Sequence, residues 1–141
     1  MPSPGENALA ALFAALPTPA GGKTARNRAA PDDMPVGGML ILRDGDRGEP
    51  IEETLNPPRA TYRHAAQIEI YAAGIDDAAR TAKIDELAET VRAALAADRT
   101  LGGTVDWAEL RRGSGRDETE IGASPVRIED ATAILEYQEE I

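Results

Sequence analysis

The sequence predicts one α+β domain, in which helices pack on a mixed or antiparallel β-sheet. Two stretches carry the apolar period of a helix, and several others alternate apolar and polar residues as strands do. The predicted order is a helix, then strands, then a helix, then strands, with neither an internal repeat nor a dividing linker. A chain of 141 residues has the usual length of a single domain. We therefore expect residues 1–141 to form one unit.

The first predicted helix ends at Pro17 and Pro19, because proline cannot continue a helix. Its apolar side chains recur at i, i+3, i+4 and i+7; they are Leu9, Leu12, Phe13 and Leu16. Residues 18–38 are rich in proline, glycine and charge and show no sustained period. They predict a long, exposed and flexible loop.

Strand patterns follow on both sides of a proline-containing interruption. The short apolar run at residues 39–43, bounded by glycine, predicts a strand, whereas the two prolines of IEETLNPPR predict no regular element. The stretch TYRHAAQIEIYAAG alternates well and predicts a half-buried strand. Its apolar face would hold Tyr62, His64, Ala66, Ile68 and Ile70, and its polar face Arg63, Gln67 and Glu69.

The second helix has the strongest pattern of the chain, from about residue 76 to residue 97. Its apolar stripe consists of Ile84, Leu87, Ala88, Val91, Ala94 and Leu95. Asp76 or Asp77 is suited to cap its start, and Gly102 and Gly103 lie beyond its end.

The C-terminal part of the chain predicts two strands separated by a charged, flexible loop at residues 113–125. In the first strand, TVDWAELRRG, Val105, Trp107 and Glu109 alternate with Asp106, Ala108 and Leu110. The last strand places Ala131, Ala133, Leu135 and Tyr137 on one face. We expect a core of small aliphatic residues anchored by the large aromatic side chains; these are Trp107, Tyr62, Tyr71 and Tyr137.

The charge of the chain argues against tight binding to nucleic acid. Fifteen basic residues against 25 acidic ones give a net charge of -10, and DNA binding needs clustered lysine and arginine. The chain has no cysteine, which excludes disulfides and thiolate chemistry. The apolar stretch near the N-terminus lacks the positive segment of a secretory signal and is too short to span a bilayer.

The stretch ILRDGDRGEP raises the question of a calcium loop. A loop of the EF-hand type that starts at Asp44 would have Asp46 at its third position. Its fifth position is Gly48, its sixth is Glu49 and its twelfth is Leu55, all of which fail the ligand pattern. Glycine and aspartate are typical of tight turns. We therefore predict a hairpin or loop tip that joins two strands, and no metal site.

The stretch PTPAGGKT does not satisfy the phosphate-loop motif. The position that requires the first glycine is Pro17, and a helix precedes the stretch where a strand is needed. We expect no cofactor.

His64, the only histidine, is the obvious candidate for a general base. It lies on the apolar face of a predicted strand without a visible nucleophile, so a packed or hydrogen-bonded core histidine is the favoured interpretation. Neither Ser114 nor Ser124 lies in a nucleophile-elbow motif. No catalytic residue is predicted.

The ordered pattern of the chain resembles the small tail-terminator (tail-completion) proteins of long-tailed phages and phage-like gene transfer agents, in the version common in alphaproteobacterial prophages. The resemblance is carried by ALFAALP, ILRDGDRGEP, YRHAAQIEIYAAG, LAADRTLGGTVDWAEL and ATAILEYQ, with an amphipathic helix between the third and the fourth. It covers most of the chain and is weakest at residues 18–38 and 113–125.

The resemblance implies a virion structural protein and no enzyme. Such proteins have a mixed α/β fold and form a hexameric ring on the head-proximal end of the tail tube. The ring stops tube growth, joins the tail to the head-completion proteins of the neck, and lets the genomic DNA pass without specific binding. Assembly would take place in the host cytoplasm, without a membrane partner.

The loops are the expected suppliers of contacts between subunits and partners, and we expect some of them to become ordered only on assembly. The candidate interface residues are Arg26, Arg28, Arg43, Asp44, Asp46, Arg47, Arg111 and Arg112. Three alternatives stay open: a head-tail joining or stopper protein of the neck, a small hydrolase or acyl transferase, and a bacterial interaction domain outside any phage.

Overall fold

The computed structural model describes residues 1–122 and 124–141 and contains, within those residues, two helices and a seven-stranded mixed sheet. The predicted α+β class is confirmed. The elements are α1 Pro4–Ala15, β1 Lys23–Arg26, β2 Met39–Asp46, β3 Glu52–Leu55, β4 Pro58–Ala73, α2 Asp77–Ala97, β5 Trp107–Arg111, β6 Gly115–Ile121 and β7 Ser124–Glu140.

Two long antiparallel strands, β4 and β7, form the centre of the sheet. They pair from Arg59 opposite Glu140 to Ala73 opposite Val126. On the outer side of β4 lie β2 and, further along, β3; on the outer side of β7 lie β6 and, further along, β5. β1 pairs with β2 in parallel and forms one edge, whereas the other pairs are antiparallel.

Both helices begin with the caps that their sequences provide. The Ser3 hydroxyl accepts a hydrogen bond from the Glu6 N–H at 3.1 Å, and the Asp76 carboxylate accepts one from the Ala79 N–H at 2.7 Å. Proline is suited to the first position of α1, because a backbone N–H at that position would have no acceptor within the helix. No helix in the described part of the chain combines the length and apolar composition that a membrane crossing requires.

Both helices pack on the same face of the sheet, and this face holds the main core. The predicted stripe of α2 is confirmed, because Ile84, Leu87, Ala88, Val91 and Leu95 are buried. A second, smaller apolar cluster lies on the opposite face and consists of Ala25, Met39, Ile41, Tyr71, Val126 and Ile128. The sheet is therefore covered by helices on one side and by loops, in part, on the other.

Three stretches that were predicted to be irregular contain strands. Residues 18–38 include β1, residues 113–125 include β6, and IEETLNPPR forms β3 and the start of β4. Prolines are compatible with this hairpin, because Pro58 is the first residue of its strand. The predicted loop 113–125 also includes Ala123, which lies outside the described residues.

The prediction that Trp107 anchors the core was wrong. Its side chain is 44% exposed, whereas Ala108 and Leu110, on the other face of β5, are buried. The strand had the correct alternation but the wrong face was assigned to the core. The Trp107 ring instead lies beneath the Arg99 guanidinium, 4.7 Å from ring centre to Cζ.

Candidate subunit and partner interface

Arg26 ties three elements together inside the subunit. Its guanidinium donates two hydrogen bonds to Asp44, at 2.8 and 3.1 Å, and two to Glu6, both at 2.9 Å. These hydrogen bonds from Arg26 lower the pKa of the Glu6 and Asp44 carboxyls below their ordinary values. Arg26 and Asp44, both candidate interface residues, therefore join β1, β2 and α1 to one another.

The predicted loop tip at Asp44 to Asp46 was placed wrongly, because β2 continues through these residues. The pairing of β2 with β4 shifts register between Arg43 and Asp46, which is a β-bulge. Gly45 has a φ of 66°, and a Cβ there would overlap the carbonyl oxygen of Ala65. Asp46 accepts a hydrogen bond from the Gly48 N–H at 2.9 Å. The Asp-Gly-Asp sequence thus bends the end of a strand.

His64 is a hydrogen-bonded core histidine, as predicted. It is 6% exposed, its Nε2 bonds the Asp44 carbonyl oxygen, and its Nδ1 lies 2.9 Å from the Tyr137 hydroxyl. Because a carbonyl only accepts, Nε2 carries the proton, and in the neutral ring Nδ1 accepts from the tyrosine. Burial, with Glu139 nearby, raises the pKa of Tyr137 to about 12. The two hydrogen bonds of His64 therefore connect the bulge in β2 to the central strands β4 and β7.

Arg47 and Arg43 lie on opposite sides of the bulged strand. Arg47 bonds the Glu139 carboxylate and lies over the Tyr62 ring, 4.3 Å from its centre. Arg43 bonds Glu69 at 3.0 Å on the face without helices. Both candidates are therefore engaged with the long central strands of their own subunit.

Arg112 connects the end of β5 to β7 and α2. Its Nε and Nη2 donate hydrogen bonds to the Glu129 carboxylate at 2.8 and 2.7 Å, and its Nη1 donates one to Asp85 at 2.7 Å. The Glu129 carboxylate is almost fully buried, so the guanidinium supplies the charge that its burial requires. Arg112 is held in an intramolecular bridge.

Four of the eight candidates are exposed: Asp46 and Arg47, described above, and Arg28 and Arg111. Arg111 lies on β5, and its only ion pair among the described residues is a 3.5 Å contact with Glu109. Arg28 has no ion pair in the described part of the chain and lines, together with Lys23, a hollow of about 720 Å³ beside β1. The structure leaves these cations available for contacts with another molecule.

Residues 113–125 were expected to supply contacts as a flexible loop, whereas Gly115–Ile121 of this stretch form the edge strand β6. Every residue of β6 except Ile121 is exposed, and it carries Asp117, Glu118 and Glu120. The acidic run was visible in the sequence, but the strand lacks an apolar alternation. The hairpin signal is Gly122, which has a φ of 63° between β6 and β7.

Large apolar side chains are exposed at both ends of the long central strands. Leu55, at the β3–β4 hairpin tip, is 91% exposed. At the other end, Val36 and Ile75 are 92% and 96% exposed, beside a shallow hollow of about 300 Å³ that also includes Met34 and Pro125. Val36 and Ile75, with Met34 beside them, form an apolar patch of the kind that is typical of contact sites, whereas Leu55 is a single exposed side chain.

Within the described residues, no group of three or more His, Asp or Glu side chains is placed to hold a metal ion. Both oxygens of Asp44, which would be the first ligand of the calcium loop that the sequence pattern argued against, accept hydrogen bonds from Arg26.

The comparisons with known proteins returned no matching family model and no significant match among curated proteins.

Proposed function

We propose that the chain is a ring-forming tail-terminator protein of a phage or phage-like particle, which ends the tail tube and joins it to the neck. The observation that carries this proposal is the exposure of apolar side chains at the two opposite ends of the sheet. A terminator needs two different end contacts, one to the tube and one to the neck.

The two ends are far apart and chemically distinct. The 16 residues of β4 separate them, which corresponds to roughly 50 Å at the rise of an extended strand. One end is a narrow hairpin tip with Leu55, and the other is a broad hollow with Val36 and Ile75. Such a subunit is suited to contact one partner above and another below.

The charge of the chain supports a conduit for DNA. With a net charge of -10, the subunit lacks the electrostatic attraction that would retain a phosphate backbone. The paired cations described above, Arg26, Arg43 and Arg112 among them, are neutralised within the subunit. DNA that passes through a ring of such subunits is therefore not held.

The proposal is tested by polymerising the cognate tail-tube protein with and without this chain and measuring tube lengths by negative-stain electron microscopy. We expect shorter tubes that carry a cap at one end. Unchanged tubes without a cap, together with binding to the portal side, would favour a stopper protein of the neck.

Serine variants at the two apolar ends identify which end contacts the tube. Leu55→Ser alters one end and Val36→Ser with Ile75→Ser alters the other, so one variant is expected to lose capping and the other to retain it. Ile51→Ser is the matched control, because Ile51 is half exposed and lies away from the hairpin tip. Capping that survives in both end variants contradicts the proposal.

A further inference from the structure

The outer edges of β1 and β6 lie on opposite sides of the sheet and at the same height. One row of paired residues crosses the whole sheet, from Lys23 through Met39, Tyr71 and Ile128 to Arg116. Both terminal strands of this row have an outer edge without a strand partner in the described part of the chain. The sheet therefore ends, at this level, in two open edges that face away from each other.

The open edge of β1 has free backbone groups and room for another strand. Lys23 and Asn27 donate their N–H groups toward β2, at 3.2 Å to Gly38 and 2.7 Å to Leu42. Because these groups alternate along a strand, Thr24 and Arg26 direct theirs outward. The hollow of about 720 Å³ beside β1 is lined by β1 itself, by Phe13 and Met39, which belong to opposite faces of the sheet, and by residues 28–33 and 35 of the loop that follows. The hollow therefore leaves space between β1 and this loop.

The charges of the two edges are complementary. The β1 edge carries Lys23 and, just beyond the strand, Arg28, neither of which has an ion pair among the described residues; Asp32 and Asp33 lie further along the same hollow. The β6 edge carries Asp117, Glu118 and Glu120, and its one basic residue, Arg116, is paired with acidic side chains of its own chain. Opposite charges on neighbouring strands stabilise pairing, and like charges oppose it, so each edge disfavours pairing with its own copy.

We propose that the β6 edge of one copy pairs with the β1 edge of the next copy, so that the sheet continues from subunit to subunit. The contact is heterologous, and such contacts close into a ring when the rotation between copies permits. Rotation about an axis along the strands preserves their direction. Since β6 runs opposite to β1 within the subunit, the new pair is antiparallel.

A closed sheet requires a stagger between its strands, and we assign the register that places opposite charges on neighbouring strands. A shift of two residues from the common level places Glu118 opposite Lys23 and aligns the four residues of β1 with residues 115–118. Both side chains then lie on the face without helices, because Glu118 pairs with Val126 and Lys23 with Met39. The β1–β6 pairing is argued from the edges of the sheet alone. Only the closure of the paired copies into a ring rests on the proposed function.

Cysteine cross-linking tests the contact directly, because the chain has no cysteine of its own. A tagged Lys23→Cys variant is mixed with an untagged Glu118→Cys variant and treated with a short bifunctional maleimide, both alone and with the tail-tube protein. We expect the mixed dimer to be the main cross-linked species, and each variant by itself to give little product.

Glu53→Cys replaces Glu118→Cys in the matched control, because Glu53 is an equally exposed acidic residue on the edge strand β3.

The charge-swapped pair provides a second readout. Lys23→Glu or Glu118→Lys alone should weaken self-association about two- to fivefold per contact, and the double variant should restore it.

The two proposals fail in different ways. An oligomer that forms but cross-links equally well through Glu53→Cys overturns the β1–β6 contact and leaves the ring intact. An oligomer in which single variants give as much product as the mixture also overturns it. A chain that stays monomeric with and without tube protein overturns both the contact and the proposed function.

Discussion

The two faces of the sheet are stabilised in different ways. On the helix-covered face, β4 directs Ala66, Ile68 and Ile70 into the main core. On the other face, the same strand directs Gln67 and Glu69 outward, where charged side chains form a chain of ion pairs. Burial of apolar surface is worth far more than exposed ion pairs. Stability therefore comes mainly from the helix-covered face, whereas the other face has a smaller apolar cluster and an exposed, charged remainder that is available for contacts.

The largest effect is expected for a substitution in the main core. Ile68 is fully buried beneath the helices, and Ile68→Ala should reduce the free energy of unfolding by about 3 kcal/mol, through lost burial and the cavity left behind. Urea unfolding followed by circular dichroism measures this loss. A change below about 1 kcal/mol would contradict the role of this face.

The next effect concerns an ion pair on the helix side that joins separate elements and has an almost fully buried carboxylate. Arg112→Met leaves the buried Glu129 carboxylate without its partner and should cost about 2 kcal/mol or more. The double variant with Glu129→Leu should recover part of that loss, because it removes the uncompensated charge. A double variant that is no more stable than Arg112→Met alone would contradict this account.

A smaller effect, with a defined pH dependence, is expected at Arg26. The pKa values of Glu6 and Asp44 are lowered in the folded state from ordinary values of 4.5 and 3.8, so their pairing stabilises the fold above those values. This stabilisation is lost as the pH falls through the lowered pKa values. Arg26→Met should be less stable at pH 7 by about 1 kcal/mol.

The comparison at low pH provides the control for that prediction. At pH 3 the unfolding free energies of wild type and Arg26→Met should lie closer together than at pH 7, because the carboxyls become protonated. A constant difference between pH 7 and pH 3 would show that Arg26 acts through packing and not through charge.

The smallest effect is expected on the face without helices. Arg43→Met removes an ion pair with Glu69 in which the arginine is about one third exposed, and should cost less than about 1 kcal/mol. The effect should shrink further at high salt, since exposed charges are screened. A loss as large as that of Ile68→Ala would invalidate the comparison between the faces.

The elements that could be predicted from the sequence are those that bury one face, because their apolar residues then recur at a regular spacing. The second helix and the central strands bury one face each, so Leu87, Val91, Ile68 and Leu135 recur at helical or strand spacing. The edge strands β3 and β6 expose most of their residues, and β1 has only four residues, so these strands form by pairing with a neighbour and leave no such pattern. Trp107 illustrates a further limit, because alternation separates two faces without indicating which one is covered.

The candidate interface residues were harder to predict, since their partners are distant in the chain. Arg26 pairs with Asp44, and His64 with Tyr137, across separations of 18 and 73 residues. Charged residues beside glycine are typical of loop tips. In this structure most of the candidate residues instead form hydrogen bonds or ion pairs that connect strands to one another. Four of the eight candidates, Arg28, Asp46, Arg47 and Arg111, are exposed, and of these Arg28 and Asp46 have no ion pair within the described structure.

The most direct test of the account is the mass of the protein in solution, measured by light scattering with and without its tail-tube protein. We predict a closed ring, with six times the mass of the 141-residue chain, either alone or once the tube is added. A monomer that persists and ignores the tube would contradict both the ring and the terminator function.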